Sequence, residues 1–190
     1  MITHKGIDSP ATGSLIINSI VMPNGSEIGM CHCPGRNHVD STGRHWDRDL
    51  LSDFNSIISW GAQALITLNE NHEFPQLGVA GFVDQARNSG IAWYHLPISD
   101  MQAPDEVFED LWAESGALIT QSLQQGEKIL IHCAGGLGRT GTLVARLLID
   151  SGLSPSVAID TVRSARPGAI ETIVQEQHIH NYSAQHWKGG

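Results

Sequence analysis

Two reactive side chains six positions apart, with little but glycine between them, set the chemistry open to this chain. Cys133 and Arg139 bracket Ala134, Gly135, Gly136, Leu137 and Gly138. A loop with so little side chain leaves its backbone unobstructed. Its N–H groups can turn inward and, with the N-terminus of a following helix, form a cradle for an anion, phosphate being the natural guest. The positive end of that helix and the fixed charge of Arg139 favour thiolate over thiol at Cys133, which makes it a nucleophile at neutral pH. Arg139 offers a planar fork that matches two phosphoryl oxygens, a geometry that lysine lacks.

These groups need a frame, and the surrounding residues supply one. Lys128 to Thr142 reads KILIHCAGGLGRTGT. The β-prone run Ile129, Leu130, Ile131 predicts a strand that delivers His132-Cys133. Leu143, Val144, Leu147 and Leu148 recur at helical spacing after Arg139-Thr140-Gly141. Strand, tight loop and helix then follow one another directly.

His132-Cys133, five residues, then Arg139-Thr140 resembles the signature of the cysteine-dependent protein tyrosine and dual-specificity phosphatases. The resemblance implies Cys133 as nucleophile, Arg139 as phosphate clamp and Thr140 as the hydroxyl that stabilises the leaving thiolate, with His132 part of the same catalytic signature. Upstream, His95-Leu96-Pro97-Ile98-Ser99-Asp100 looks like that family's general-acid loop, with Asp100 placed to protonate the departing oxygen. Gly29 to Gly35 (GMCHCPG) and Gly168 to Ile173 (GAIETI) extend the similarity to the kinase-associated dual-specificity phosphatase branch, over residues 14–185.

The same resemblance implies a protein-tyrosine-phosphatase-like fold, a phosphorylated protein as partner, a phosphocysteine intermediate and no metal or cofactor. It suggests Arg36 as a substrate contact. It also marks one departure: many relatives carry, at the position of Glu171, a glutamine that positions the hydrolytic water. A carboxylate there would repel phosphate unless protonated or paired with arginine, and Gln175, one turn on, could act instead.

Composition bounds the rest. At 190 residues the chain predicts one domain with a sizeable core, and 41% hydrophobic content fits a soluble globular protein. The formal charge of −9 argues against nucleic acid or a polybasic membrane contact as partner, so any anion site must be local. The N-terminus lacks the basic start and apolar run of a signal peptide, and no segment approaches a membrane span. Three cysteines are too few for a disulfide scaffold, and a cytoplasmic setting suits a thiolate.

Read in order, residues 1–13 predict a flexible lead, 14–186 the phosphatase domain and 187–190 a tail. Leu15 to Val21 and Ile28 to Met30, around Asn24-Gly25, predict an edge hairpin. His32 to His45 has no apolar period and reads as a loop, open equally to substrate recognition through Arg36 and to a solvated connector. Cys31-His32-Cys33 has no second pair at ligand spacing, so zinc is not expected.

Helices follow at Trp46 to Trp60, Val79 to Ser89 and Glu106 to Gln125, the last capped by Asp105, with strands at Ala64 to Leu68 and Ile91 to Leu96. Asn69 to Glu73 could orient Arg139, but its composition favours a solvated loop. Pro97 and Pro104 bracket the Asp100 segment, which suits a loop that closes over substrate. Ser154-Pro155 restarts a helix, Arg166-Pro167-Gly168 is a turn, and His178, His180 and His186 read as surface residues. The alternation predicts an α/β fold: a central mixed, mostly parallel sheet with helices on both faces and the site at the strand ends.

Other chemistries use such a loop. A non-catalytic phosphate-binding module would lack cysteine, arginine or acid, and all three are present. A site for inositol phosphates or phosphoinositides would add lysines within residues 134–138, which hold none. An arsenate reductase needs a resolving thiol, for which Cys31 and Cys33 are the candidates. The expected activity is therefore hydrolysis of phosphotyrosine, with phosphoserine and phosphothreonine open.

Overall fold

The computed structural model describes residues 13–183. The lead expected at 1–13, Gly13 excepted, the tail at 187–190 and His186 lie outside them. Strands β1 (Asn18–Val21) and β2 (Glu27–His32) form the edge hairpin. Its turn is built as Asn-Gly predicts: Gly25 takes φ 88°, and the Asn24 side chain accepts from Ser26 N and Oγ.

The hairpin continues through β7 (Lys128–Cys133), β5 (Ala62–Thr67) and β6 (Ala92–His95), giving the order β1-β2-β7-β5-β6, with every pair after the first parallel. Parallel strands covered on both faces need continuous apolar runs rather than alternation. β7 supplies one. Ile129 and Ile131 enter the core beneath α4 (Glu106–Gln124), α5 (Gly138–Asp150), α6 (Pro155–Ala165) and α7 (Ile173–Asn181). Leu130 enters a second core beneath α1 (Leu50–Trp60), the short α2 (Glu73–Gln76) and α3 (Phe82–Asn88). The fold is α/β with a mixed, mostly parallel sheet, as the sequence predicts.

Several boundaries differ, each for a physical reason. Residues 32–45 are not loop throughout: β3 (Asn37–Val39) and β4 (His45–Asp47) pair antiparallel, too short to carry a period. Trp46 belongs to β4 and not to α1, which starts after Asp49 because that carboxylate caps Ser52 N at 2.7 Å. Ser154 occupies the cap position of α6, yet its hydroxyl makes no capping bond. His180 is exposed, but His178 is half-buried, its ring 6.3 Å from that of Tyr182.

Every residue of α5 is buried, so it is the internal helix of the domain rather than an amphipathic cover. Even Arg146 is enclosed, held bidentate by Glu109 and stacked among Phe108, Trp112 and Tyr182. The loop from Cys133 to Arg139 is thus suspended between the central strand and a fully buried helix.

Candidate active site

Cys133 ends β7 at the carboxyl edge of the sheet, where open α/β folds place their sites. It is 3% exposed, and its Sγ accepts a hydrogen bond from Gly136 N at 3.2 Å, so the sulfur is turned into the loop. The loop's carbonyls are drawn the other way. Ala134 O accepts from Cys33 N and from Arg36 Nη1, both at 3.1 Å. Gly135 O and Gly136 O accept from Arg166, whose Nη1 is anchored on Asn18 Oδ1 at 2.6 Å. Leu137 O accepts from Gly141 N and Ile170 N.

With these carbonyls held outside, the loop amides are free to face the sulfur's side. Gly136 makes this path possible: it sits at φ 67°, and a β-carbon there would collide with the Cys31 carbonyl. Burial lowers the pKa of both Arg36 and Arg166. Arg36 is therefore neither in a solvated connector nor free to meet substrate. It is buried, stacked 4.0 Å over Trp46, and braces the loop from behind. Arg166 does the same from the opposite side. In sequence it reads only as part of a turn, and nothing local marks its reach back across thirty residues.

Arg139, in the first turn of α5, is gripped by Glu73. Nη1 meets Oε2 at 2.7 Å and Nη2 meets Oε1 at 2.9 Å, while Ile98 O takes a further Nη1 bond at 3.0 Å. The 69–73 segment is thus not the solvated loop its composition favours. Glu73 opens α2, is 7% exposed, and also accepts from Asn69 Nδ2 and Glu70 N. Burial opposes the charge of Arg139, but the Glu73 bonds and the negative charges of Cys133, Glu73 and Asp100 more than offset it, so its pKa rises above the ordinary arginine value.

Asp100 reaches the same guanidinium: Oδ1 lies 2.9 Å from Arg139 Nη2, and the carboxylate is two-thirds exposed at 66%. Its loop is docked at several points. Ser99 Oγ donates to Glu70 Oε1, Thr172 Oγ1 to Met101 O, and Gln175 Nε2 to Gln102 O, the last two at 3.2 Å. Met101 (φ 61°) and Ile170 (φ 60°) are the non-glycine residues with positive φ among those described. They stand directly beside Asp100 and Glu171, where strained backbone aims the two carboxylates.

Glu171 Oε2 accepts from Gly138 N at 2.8 Å. Gln175 stands behind it, fully buried, its Oε1 accepting from Glu171 N and Thr172 N in a capping box. The role of water-positioning residue suggested for Gln175 is not supported, because its amide is committed to the backbone on both ends. Thr140 is buried, and its Oγ1 meets no hydrogen-bond partner among the described residues.

His132 points away from Cys133, into the second core. Its Nε2 pairs with Thr67 Oγ1 at 2.8 Å, and that hydroxyl also accepts from Trp93 Nε1. Burial drives its pKa down to about 3, so the ring is neutral and structural. Cys31 and Cys33 lie in that second core too, whereas Cys133 lies in the first. Burial raises the Cys31 pKa to about 12 and that of Cys33 well above the ordinary thiol value, which suits neither to resolve a disulfide.

A family model described as "Polymorphic toxin system, DSP-PTPase phosphatase" matches residues 42–153, which contain Glu73, Asp100, Cys133 and Arg139. Human cyclin-dependent kinase inhibitor 3 is 32% identical over 163 residues, covering 82% of this chain and 71% of its own. The chain belongs to the dual-specificity and tyrosine phosphatases.

A structure of kinase associated phosphatase with its catalytic-site cysteine replaced by serine resembles this phosphatase at a TM-score of 0.77 and 29% identity, covering 89% of this chain and 94% of that one. A probable protein tyrosine phosphatase type IVA A of Dictyostelium discoideum is 34% identical over 98 residues, half of this chain and 57% of its own. The likeness to the kinase-associated structure extends over nearly the whole fold, in line with the branch that the Gly29–Gly35 and Gly168–Ile173 motifs suggest.

Proposed function

We propose that the chain hydrolyses phosphomonoesters on phosphorylated proteins, phosphotyrosine and with it phosphoserine and phosphothreonine, through a phosphocysteine at Cys133. The observation that carries this reading is Cys133 Sγ turned into a loop whose carbonyls engage the outside, with Arg139 and Asp100 paired at 2.9 Å above it.

In the first step the Cys133 thiolate attacks phosphorus in line, the S–P bond forms and the ester P–O bond breaks. Asp100 gives its proton to the departing oxygen. Loop amides of Ala134 to Arg139 and the open edge of Arg139 meet the equatorial charge, preorganised electrostatics that cost nothing at the moment of reaction. In the second step water attacks phosphorus, Asp100 takes its proton, the P–S bond breaks and thiolate is restored. Thr140, whose buried hydroxyl has no other partner among the described residues, is proposed to donate to that thiolate. Arg36 and Arg166 act through the loop, and Gln175 through Glu171 and the acid loop.

We assign one phosphatase domain to residues 14–186 and place it in the cytoplasm. Free cysteines at 31, 33 and 133 suit a reducing compartment, and no helix among the described residues is long and apolar enough to cross a membrane. The test is rapid quenching with p-nitrophenyl phosphate or a phosphotyrosine peptide. Phosphate on Cys133 by mass spectrometry, and turnover lost in Cys133→Ser, are expected. Turnover retained in Cys133→Ser would end the proposal.

A further inference from the structure

The Leu137 side chain offers no cap to α5, yet the first amide of that helix is not left bare: Gly138 N donates to Glu171 Oε2 at 2.8 Å. A helix N-terminus favours a negative group, and here the group comes from another segment of the fold. Gly138 lies between Gly136, whose amide meets Cys133, and Arg139, so its N–H is one of the donors that a phosphoryl group in this loop would use. The shelf is close-built. A β-carbon at Gly138 would stand 2.7 Å from Glu171 Oε2 and from Gln175 Nε2, so the glycine is required by the carboxylate above it. Gln175 fixes Glu171 through its backbone N at 2.9 Å, while the Glu171 side chain keeps solvent access and can leave.

We propose that Glu171 is a built-in competitor for phosphate, occupying the Gly138 amide as a phosphoryl oxygen would, so that a dianion binds only as the carboxylate is protonated or swings away. This deepens the phosphatase reading and rests on it. Asp100 on the acid loop disfavours the ionised form of Glu171 and Arg139 on α5 favours it, while Glu176 on α7 is engaged by Arg163 at 2.7 Å. Burial, and then Asp100 against the opposing Gly138 bond and Arg139, leave the Glu171 pKa above the ordinary glutamate value. Protonation on anion binding is thereby within easier reach. A neutral glutamine at 171 would fill the same space and could offer its N–H₂ to the anion instead of repelling it.

The test is sulfate binding by calorimetry, since sulfate stays a dianion across the range, to Cys133→Ser protein with and without Glu171→Gln. At pH 8 the Glu171→Gln protein is expected to bind sulfate about tenfold more tightly, the scale of gaining one charge-assisted hydrogen bond and relieving one like-charge repulsion. The gap should narrow toward pH 5, with proton uptake on binding seen only in the Glu171 protein. A Glu171→Ala variant, which removes the carboxylate without supplying a donor, should also bind more tightly at pH 8. Equal affinity of all three proteins at pH 8 would overturn the competition. Absence of sulfate binding in every variant would instead strike at the anion-loop reading beneath it.

Discussion

Glu73 holds Arg139 by both terminal nitrogens across a sequence separation of sixty-six residues, at 2.7 and 2.9 Å. The guanidinium is thereby fixed toward α2, and its Nη2, shared with Glu73, also meets Asp100 Oδ1 at 2.9 Å. Both side chains are nearly enclosed, at 1% and 9% exposed, so breaking the pair leaves a buried charge uncompensated. Glu73→Gln is expected to destabilise the fold by about 3 kcal/mol. It should also lower kcat/KM by on the order of a hundredfold, because a clamp displaced by an ångström loses its alignment. Urea denaturation and steady-state kinetics check both. Kinetics unchanged from the parent would show that Arg139 is aimed without Glu73.

Asp100 Oδ1 meets Arg139 Nη2 at 2.9 Å, which holds the carboxylate against the guanidinium. On the proposed mechanism its task is to hand a proton to the leaving group, so its value depends on how poor that group is. Asp100→Asn should lower kcat by about 10² to 10⁴ on a phosphothreonine peptide, whose alkoxide must be protonated. On p-nitrophenyl phosphate, whose phenolate leaves unaided, the loss should be much smaller. The ratio of the two losses is the measurement, and equal losses would remove Asp100 as the acid.

The nucleophile, its loop and Arg139 are legible in sequence because they lie in one contiguous run whose strand, glycine and helix signals agree. Arg166 is not legible, and the hold of Glu73 on Arg139 is legible only as the less favoured of two readings, for each acts through a contact whose other half is far along the chain. Residues 69–73 carry no period, and a polar segment reads as solvated until its partner is known. β3 and β4, at three residues each, are too short for alternation to show. His132 is legible as part of a motif, but which face of β7 it takes is settled only by the sheet.

Arg166 turns the carbonyls of Gly135 and Gly136 outward and is itself anchored on Asn18. Lysine keeps the charge and cannot span two carbonyls and an amide oxygen at once. Arg166→Lys is expected to weaken vanadate inhibition and raise KM by about tenfold, the scale of losing one hydrogen bond that holds the loop. The melting temperature should fall little by comparison, since the helices of both cores are untouched. Unchanged vanadate inhibition would show that the loop holds its shape without this brace.

Stability should begin to fall with acid well above the carboxylate range, and two enclosed imidazoles are the reason. Burial lowers the His132 pKa to about 3; burial, then Arg48, Arg36, Arg166 and His132, lower that of His32 to about 2. Unfolded, both titrate near 6.5. Below that pH the unfolded chain binds protons that the fold refuses, so the contribution is complete above pH 6.5 and lost steadily down to the folded values. Two such groups amount to about 4 kcal/mol between pH 7 and pH 5, at about 1.4 kcal/mol per group per pH unit once titration is under way. Neither ring nitrogen of His32 has a hydrogen-bond partner among the described residues, and its ring packs on Trp46 at a centroid distance of 5.1 Å. His32→Phe therefore keeps the ring contact while removing one titrating group, and should halve the loss measured by urea denaturation at the two pH values. A slope as steep as the parent's would mean that His32 is not among the groups kept neutral by the fold.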